Sequence, residues 1–108
     1  MQIPKLFTIV DELHQKLKNL YGTRLNKLIL FGSQARGDAV PGSDIDILVV
    51  LNDVVIASEE SSRTLDIRSV LSLEYDTLLS CVYISNEQLE KGQGQLLTAI
   101  GRDGVLIK

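Results

Sequence analysis

Several features that would define a class of protein are scarce or missing in this 108-residue sequence. It has no tryptophan and a single cysteine, Cys81, so no disulfide can form within the chain. Its longest apolar run, Ile47–Leu51, is far shorter than the roughly 20 residues that a membrane-spanning helix needs. Nothing at the N-terminus resembles a signal peptide. We therefore expect a cytoplasmic protein with no membrane association.

Positive charge and aromatic side chains are also scarce. The net charge is −3, the pI is about 5.0, and aromatic residues make up 5% of the chain. Proteins that hold long nucleic acids usually carry a basic surface and aromatic stacking platforms. The composition therefore argues against a long nucleic acid as ligand, but it allows a small nucleotide whose charge a metal ion offsets.

The composition is that of a folded domain with a hydrophobic core. Hydrophobic residues are 44% of the total and charged residues 23%, which is ordinary for a globular protein. The length predicts one domain, and no repeat, linker or low-complexity segment divides it. We expect a single domain over residues 1–108.

Hydrophobic periodicity predicts an alternation of helices and strands. Apolar residues recur every three or four positions over residues 4–21, and Gly22 is expected to end that helix. The second strand, 44–51, begins with two acidic residues and is then continuously apolar, which is typical of a central strand covered on both faces. The predicted elements are helix 4–21, strand 28–31, a short helix or turn at 33–37, a loop at 38–43, strand 44–51, helix 59–75, strand 77–84, a helix from Ser85, a helical turn at 95–101 and strand 105–107.

This order predicts an α/β or α+β domain in which helices pack against a small mixed β-sheet. In the long helix 59–75, four apolar residues are available for burial: Leu65, Val70, Leu71 and Leu73. Ser85 and Gln88 have the spacing of a capping box at a helix start. Periodicity leaves parallel and antiparallel pairing of the strands open.

Two aspartates at the start of the second strand are the first candidates for chemistry. Asp44 and Asp46 are two residues apart, so on a strand both project from one face, roughly 6–7 Å apart at the backbone. Mg²⁺ favours a site of one or two carboxylates completed by phosphates and water. The like charges repel each other unless a cation lies between them. Alone, such a pair is usually no more than two exposed acids; together with Gly32-Ser33 at its spacing it predicts a metal site.

A glycine-serine turn before this strand is the second candidate. Gly32 allows a phosphate to approach the backbone closely, and amides at a helix start favour anions. Ser33 adds a hydroxyl donor, and Arg36 is either a charge-assisted phosphate contact or a solvated turn residue. Ser43 is a further candidate for nucleotide binding, although a role in shaping the turn into the strand is favoured.

These residues form a pattern that resembles a known family. Gly32-Ser33, ten further residues and then Asp44-Ile45-Asp46 are similar to the motif of DNA polymerase β-like nucleotidyltransferases. The fuller run LFGSQARGDAVPGSDIDILVV resembles the minimal nucleotidyltransferases, or MNT proteins, which are often paired with HEPN-domain partners. The segments YDTLLSCVYIS and GRDGVLIK extend the resemblance over nearly the whole chain. It implies the polymerase β-like nucleotidyltransferase fold.

The resemblance also implies an activity. Asp44 and Asp46 would bind two Mg²⁺ ions, while Gly32, Ser33 and Arg36 would cradle the phosphates of a nucleoside triphosphate. The reaction is transfer of a nucleoside monophosphate to a hydroxyl group, with ATP as the favoured donor. The family context implies that the acceptor is a HEPN toxin and that this chain is its antitoxin.

One departure from the family pattern supports a second hypothesis. Active members of the wider superfamily often carry a third carboxylate on a later strand, and Ser80 stands at that position here. The alternative is therefore an MNT-fold module with weak or absent catalysis that neutralises its partner by binding. Related enzymes for small acceptors carry a second domain, so we expect the acceptor site to come from a partner chain or from a second copy in a homo-oligomer.

Overall fold

The computed structural model describes residues 5–40 and 43–108. A 3-10 turn at Gly22–Arg24 links the first helix to the first strand. The helices and strands of the described residues are, in chain order, α1 (Leu6–Tyr21), β1 (Leu25–Phe31), α2 (Gly32–Arg36), β2 (Ile45–Leu51), α3 (Ala57–Arg63), α4 (Leu65–Tyr75), β3 (Leu79–Ser85), α5 (Asn86–Lys91), α6 (Gln95–Asp103) and β4 (Val105–Leu106).

The four strands form one mixed sheet in the order β3-β2-β1-β4. Strand β2 runs parallel to β3, whereas β1 is antiparallel to both β2 and β4. All residues of β2 except Asp46 are buried, because helices cover both faces of the sheet. The predicted α/β (α+β) fold with a small mixed sheet and a central second strand is confirmed.

The two faces of β2 pack against different helices. Ile45 and Ile47 belong to the main core with α1 and α4, as expected for residues that point away from the aspartates. Leu48 and Val50 pack on the opposite face against Ile100 of α6. Because side chains alternate along a strand, Asp46 lies on this second face.

The prediction of one long helix over 59–75 is wrong. The chain forms two helices, α3 and α4, separated at Thr64, whose φ of −101° and ψ of 2° are not helical. The buried Thr64 hydroxyl donates to the backbone carbonyl of Glu60 at 3.0 Å and also contacts the Tyr83 hydroxyl on β3. A hydroxyl with these local and tertiary partners competes with regular helix geometry, which explains the break.

The burial expected for this segment is correct at only one of four positions. Leu71 is fully buried, whereas Leu65, Val70 and Leu73 are exposed by 53%, 54% and 84%. After the break, the face of α4 that packs against the core carries Ile67 and Leu71, which are four residues apart and therefore lie on the same side of the helix. The other three apolar side chains therefore lie on its outer face.

Most other element boundaries agree with the sequence pattern. Helix α1 ends before Gly22, which has a φ of 56°; residue 4, where the predicted helix began, lies outside the described residues. Strand β1 begins three residues earlier than expected. The capping box is confirmed, because the Ser85 hydroxyl accepts from the Gln88 amide at 3.1 Å and the Gln88 side chain accepts from the Ser85 amide at 3.0 Å.

In the part of the chain that the structure describes, no helix combines the length and apolar character required to cross a membrane.

Candidate active site

The glycine-serine turn and the aspartate pair meet at one end of the sheet. Phe31, the last residue of β1, is paired with Asp46 near the start of β2. Helix α2 begins at Gly32, directly after this pair. The antiparallel pairing of the two strands therefore places the turn next to the acidic residues, although Gly32 and Ile45 are thirteen positions apart in the sequence.

Gly32 is required by the geometry of this contact. Its φ of 74° is in the left-handed region, where residues with a side chain are strained. A Cβ at this position would also overlap the carboxylate of Asp46 and lie 3.2 Å from the Asp46 Cγ. The backbone of the turn thus packs directly against the acidic side chain, with no room for a side chain at residue 32.

The two aspartates differ in exposure but influence each other. Asp44 is exposed and immediately precedes β2, which begins at Ile45 and not at residue 44 as predicted; Asp46 is half-buried on the strand. Burial raises the pKa of Asp46, repulsion from Asp44 raises it further, and Arg36 acts in the opposite direction. This end of the sheet consequently favours a bound cation, which would relieve both the desolvation and the repulsion.

The remaining predicted nucleotide-binding residues lie on or beside the turn. Ser33 is the second residue of α2 and is partly buried, and Arg36 ends that helix with an exposed side chain. The Arg36 Nε donates to Asp38 at 3.1 Å. The Ser43 hydroxyl accepts from the Val40 amide at 3.0 Å, so it shapes the loop before β2. Residues 41 and 42 of the predicted loop lie outside the described residues.

Ser80 is the direct neighbour of Asp46 on the next strand. The two residues are in register across the parallel pair of β2 and β3, so their side chains project from the same face. Val82, two residues further on, packs in the second cluster, whereas Cys81 packs against the main core. Side chains therefore alternate along this strand, and the position at which the family resemblance implies a third carboxylate holds a half-buried hydroxyl.

This donor set fits Mg²⁺ only in combination with a ligand. Among residues 5–40 and 43–108, no group of three or more histidine, cysteine, aspartate or glutamate side chains is arranged to hold a metal ion. The two carboxylates and one hydroxyl at Asp44, Asp46 and Ser80 leave most coordination positions to phosphate oxygens and water. Mg²⁺ accepts such sites readily, because it retains several waters and binds through one or two carboxylates plus substrate phosphates.

Sequence reasoning missed the contribution of α6 to this end of the molecule. A cavity of about 180 Å³ lies between α2 and α6, and its lining includes Phe31, Asp103 and Ile100. The position of α6 follows from the pairing of β4 with β1, in which Leu106 and Val105 oppose Ile29 and Leu30. Periodicity did not determine this pairing, and no local pattern indicated that Asp103 lines a cavity beside the turn.

A mixed sheet with a glycine-serine turn packed against Asp46 agrees with the family that the sequence pattern resembles. The family model described as Nucleotidyltransferase domain matches residues 10–96. The chain therefore belongs to the nucleotidyltransferase domain family, and the expected family is confirmed.

Similar proteins support the same assignment. A Methanocaldococcus jannaschii protein, named as a candidate protein adenylyltransferase, is 38% identical over 82 residues, which are 76% of this chain and 76% of that protein. A chain from a crystal structure of a toxin–antitoxin pair with AMP-PNP superposes with a TM-score of 0.64 at 21% identity, covering 91% of this chain and 71% of that one. A chain from the Shewanella oneidensis complex of a tri-AMPylated HEPN toxin with its MNT antitoxin gives 0.56 at 17% identity, covering 94% and 71%. At these identities the two structures show the shared fold.

Proposed function

We propose that this chain transfers AMP from ATP to a hydroxyl group of a HEPN-domain toxin and thereby acts as the antitoxin of that pair. The observation that carries the proposal is the direct packing of Gly32 against Asp46. A turn suited to phosphates and a carboxylate suited to a cation are brought into contact, which is what a metal-bound nucleoside triphosphate requires.

The choice of donor and acceptor rests on the relatives. The Methanocaldococcus jannaschii relative is named for protein adenylylation, and one structural neighbour was crystallised with AMP-PNP, an ATP analogue. Another neighbour comes from a complex whose HEPN toxin carries three AMP groups. These descriptions concern those proteins, and they make ATP and a HEPN partner the first choices to test with this chain.

Each residue of the site has a defined part in the proposed reaction. Asp44 and Asp46 would hold Mg²⁺, and two ions are expected from the family. Bound Mg²⁺ supplies charge neutralisation for the triphosphate and lowers the pKa of an acceptor hydroxyl. The missing side chain of Gly32 lets the phosphates approach the backbone, while Ser33 and Arg36 donate hydrogen bonds to phosphate oxygens. The acceptor oxygen replaces pyrophosphate on the α-phosphorus, so AMP remains on the acceptor.

The experiment is a transfer assay with ATP that is labelled either on the α-phosphate or on the γ-phosphate. The chain, Mg²⁺ and its co-purifying HEPN partner are incubated, and the partner is analysed by gel and by mass spectrometry. We expect label from the α-phosphate only and a mass increase of one AMP per modified hydroxyl. The variant Asp44→Asn should abolish labelling, whereas Asp66→Asn, which removes an exposed carboxylate on α4, should retain it. Label from the γ-phosphate, or no label, would contradict the proposal.

A second candidate function is neutralisation of the partner by binding alone. It is favoured by Ser80, because a neutral hydroxyl beside Asp46 binds a divalent cation more weakly than a carboxylate. An inhibition assay separates the two functions. If the Asp44→Asn chain neutralises toxin activity as well as the unmodified chain does, binding is sufficient; if neutralisation is lost together with labelling, AMP transfer is required.

A further inference from the structure

A small cavity opens next to the glycine-serine turn, between α2 and the face of α6 that runs from Leu96 to Asp103. Its volume is about 180 Å³. It shares Gly32 with the proposed phosphate site, so a ligand bound at the turn can extend into it without a break. The lining that matters for recognition consists of Phe31, Gly32, Arg36, Leu96, Ile100 and Asp103.

We propose that this cavity receives the nucleobase of the donor nucleotide and that the Asp103 carboxylate accepts a hydrogen bond from an exocyclic amino group of that base. The inference rests on the proposed function, which it deepens by assigning the base specificity. A base with an amino group, such as adenine, is then preferred over a base that presents a carbonyl oxygen at the same position.

The size of the cavity indicates which part of a nucleotide it can hold. Pockets that enclose a whole small-molecule ligand are typically ~300–1,000 Å³. At about 180 Å³ this cavity is too small for a nucleoside triphosphate and is suited to a single ring system. Since Gly32 lies at its edge, the triphosphate can remain on the turn while the ring system enters the cavity.

The walls are apolar where a ring would stack. Phe31 presents an aromatic side chain, and Ile100 is buried at the base of the second core cluster. Leu96 is 43% exposed, so its side chain has apolar surface that a ligand can cover. Stacking of a base on an aromatic side chain contributes ~1–3 kcal/mol and does not depend on which base is present. Selectivity must therefore come from the polar groups of the cavity.

Asp103 is the polar group that can distinguish bases. An ionised carboxylate only accepts hydrogen bonds, and it has about four lone-pair sites. The Arg102 Nε donates to its Oδ2 at 3.1 Å, and that arginine side chain is itself exposed, so capacity for a ligand donor remains. An amino group satisfies such an acceptor, whereas a carbonyl oxygen in its place faces like charge. The same charge repels phosphate, which directs the triphosphate toward Arg36 and the turn.

The test compares three ligands by calorimetry with Mg²⁺ and without any acceptor protein: ATP, ITP and inorganic tripolyphosphate. ITP carries a carbonyl oxygen where ATP carries the amino group. We expect ITP to bind about tenfold to hundredfold more weakly than ATP, which is the loss of one hydrogen bond to a charged group. The variant Asp103→Asn should bind ITP and ATP with similar affinity, because a side-chain amide can donate as well as accept. The control Asp11→Asn removes an exposed carboxylate on α1 and should keep the preference for ATP.

A second variant keeps the test decisive if Asp103→Asn fails to fold. Ala99 also lines the cavity, and Ala99→Phe would fill it. ATP affinity should then fall about tenfold or more, whereas tripolyphosphate affinity should stay the same. Equal binding of ATP and ITP by the unmodified chain, or equal losses for ATP and tripolyphosphate in Ala99→Phe, would overturn the inference. Weaker binding of 2′-deoxy-ATP together with equal binding of ITP would also overturn it, because Asp103 would then contact the ribose.

The binding assay and the transfer assay fail independently. A chain that discriminates ATP from ITP but transfers no AMP supports the cavity and contradicts the enzymatic proposal. A chain that labels its partner but binds ATP and ITP equally retains the enzymatic proposal and loses the cavity.

Discussion

The two ends of the β1–β2 strand pair each carry an acidic side chain that is at least half-buried, and the two side chains differ in their partners. At one end, Asp46 lies against the backbone of Gly32, and burial, followed by repulsion from the neighbouring Asp44, raises its pKa. At the other end, Arg24 precedes β1 and its guanidinium reaches Glu60 of α3. Both ends concentrate charge, but of Asp46 and Glu60 only Glu60 forms ion pairs among the described residues, whereas Arg36 lowers the pKa of Asp46 without pairing with it.

Glu60 is the better satisfied of these carboxylates. It is only 2% exposed, and it accepts hydrogen bonds from Tyr21 at 3.1 Å, Arg24 at 3.0 Å and Arg63 at 3.1 Å. Arg24 also donates two hydrogen bonds to Asp53 and lies over the Tyr21 ring. Burial raises the pKa of Glu60, but the hydrogen bonds from Arg24 and Tyr21 outweigh it, so the pKa lies below its usual value.

The contrast separates a carboxylate with several partners in the fold from one that, on the proposed function, binds a ligand. In the described part of the chain, no ion pair involves Asp44 or Asp46. A buried charge without a partner is costly, so a protein retains one where a ligand will neutralise it. The comparison predicts that mutations at the two ends have different consequences, loss of chemistry at one and loss of stability at the other.

The largest effect is expected for Asp46→Asn. AMP transfer should fall at least about a thousandfold, about 4 kcal/mol, because Mg²⁺ coordination contributes several kcal/mol to the transition state. The melting temperature should not fall, since the substitution removes a half-buried charge and its repulsion by Asp44. Transfer kinetics and thermal melts of the same preparation test both statements. An inactive variant that also melts much lower would break the comparison, because Asp46 would then stabilise the fold.

The second effect concerns the opposite end. Arg24→Leu should reduce the free energy of unfolding by about 3 kcal/mol, because it leaves the buried Glu60 with fewer cationic partners. The matched control is Arg63→Leu, which removes another arginine contact to Glu60. Arg63 is 49% exposed, so this loss should stay below about 1 kcal/mol. Denaturant unfolding measures both, and equal losses would show that the network does not depend on Arg24.

A third, smaller effect tests whether a third carboxylate can be added beside Asp46. Ser80→Asp should tighten Mg²⁺ binding in the presence of ATP about tenfold, because it adds a carboxylate in register with Asp46. The alternative is that Ser80 is a small core residue. In that case the buried charge of the new aspartate would reduce the free energy of unfolding by several kcal/mol. Titration calorimetry and melts distinguish the two. Ser69→Asp, which adds the same charge on the exposed side of α4, should leave Mg²⁺ affinity unchanged.

The smallest effect is an opposite pH dependence at the two ends. The pKa of Glu60 lies below its ordinary value of 4.5 in the folded state, so its stabilisation is present above pH 4.5 and is lost as the pH falls toward the folded pKa. The pKa of Asp46 lies above its ordinary value of 3.8, so its stabilisation is present below that pH and is lost as the pH rises through the folded pKa. We would therefore measure the free energy of unfolding between pH 3 and 7, about the range of ordinary carboxyl titration. The unmodified chain should lose stability toward low pH, and Glu60→Gln should make that loss smaller. The variant Asp46→Asn should gain on the unmodified chain as the pH rises, and parallel curves would contradict this.

Local pattern was sufficient for much of the fold and for bringing the candidate residues together. Strand β2 is a long apolar run with two acids at its start, and Gly32 follows another apolar run, so neighbouring strands were enough to juxtapose them. The capping box at Ser85 is equally local. The apolar runs and the capping box depend on residues within a few positions of one another, which is why sequence alone predicted them. Periodicity left open the antiparallel pairing that packs Gly32 against Asp46.

Long-range contacts account for the errors. The break at Thr64 depends on a contact with Tyr83, nineteen residues away, and the orientation of α4 follows from that break. The Glu60 network joins residues up to 39 positions apart, and periodicity carries no sign of it. Asp103 lies beside the cavity next to Gly32 because β4, which follows α6, pairs with β1. In each case the contact joins residues that are distant in the sequence and meet only in the folded chain.

The packing of Gly32 against Asp46 also links the evolutionary fates of two positions. A side chain at residue 32 is excluded by the carboxylate at residue 46 and strained by a φ of 74°, so the first position can diversify only after the second has shortened or moved and the turn has changed conformation. On the proposed function, a lineage that kept partner binding but lost AMP transfer would no longer need this packing. Among descendants of such a chain, paired replacement at 32 and 46 would mark the loss of catalysis in a genome before any assay was run.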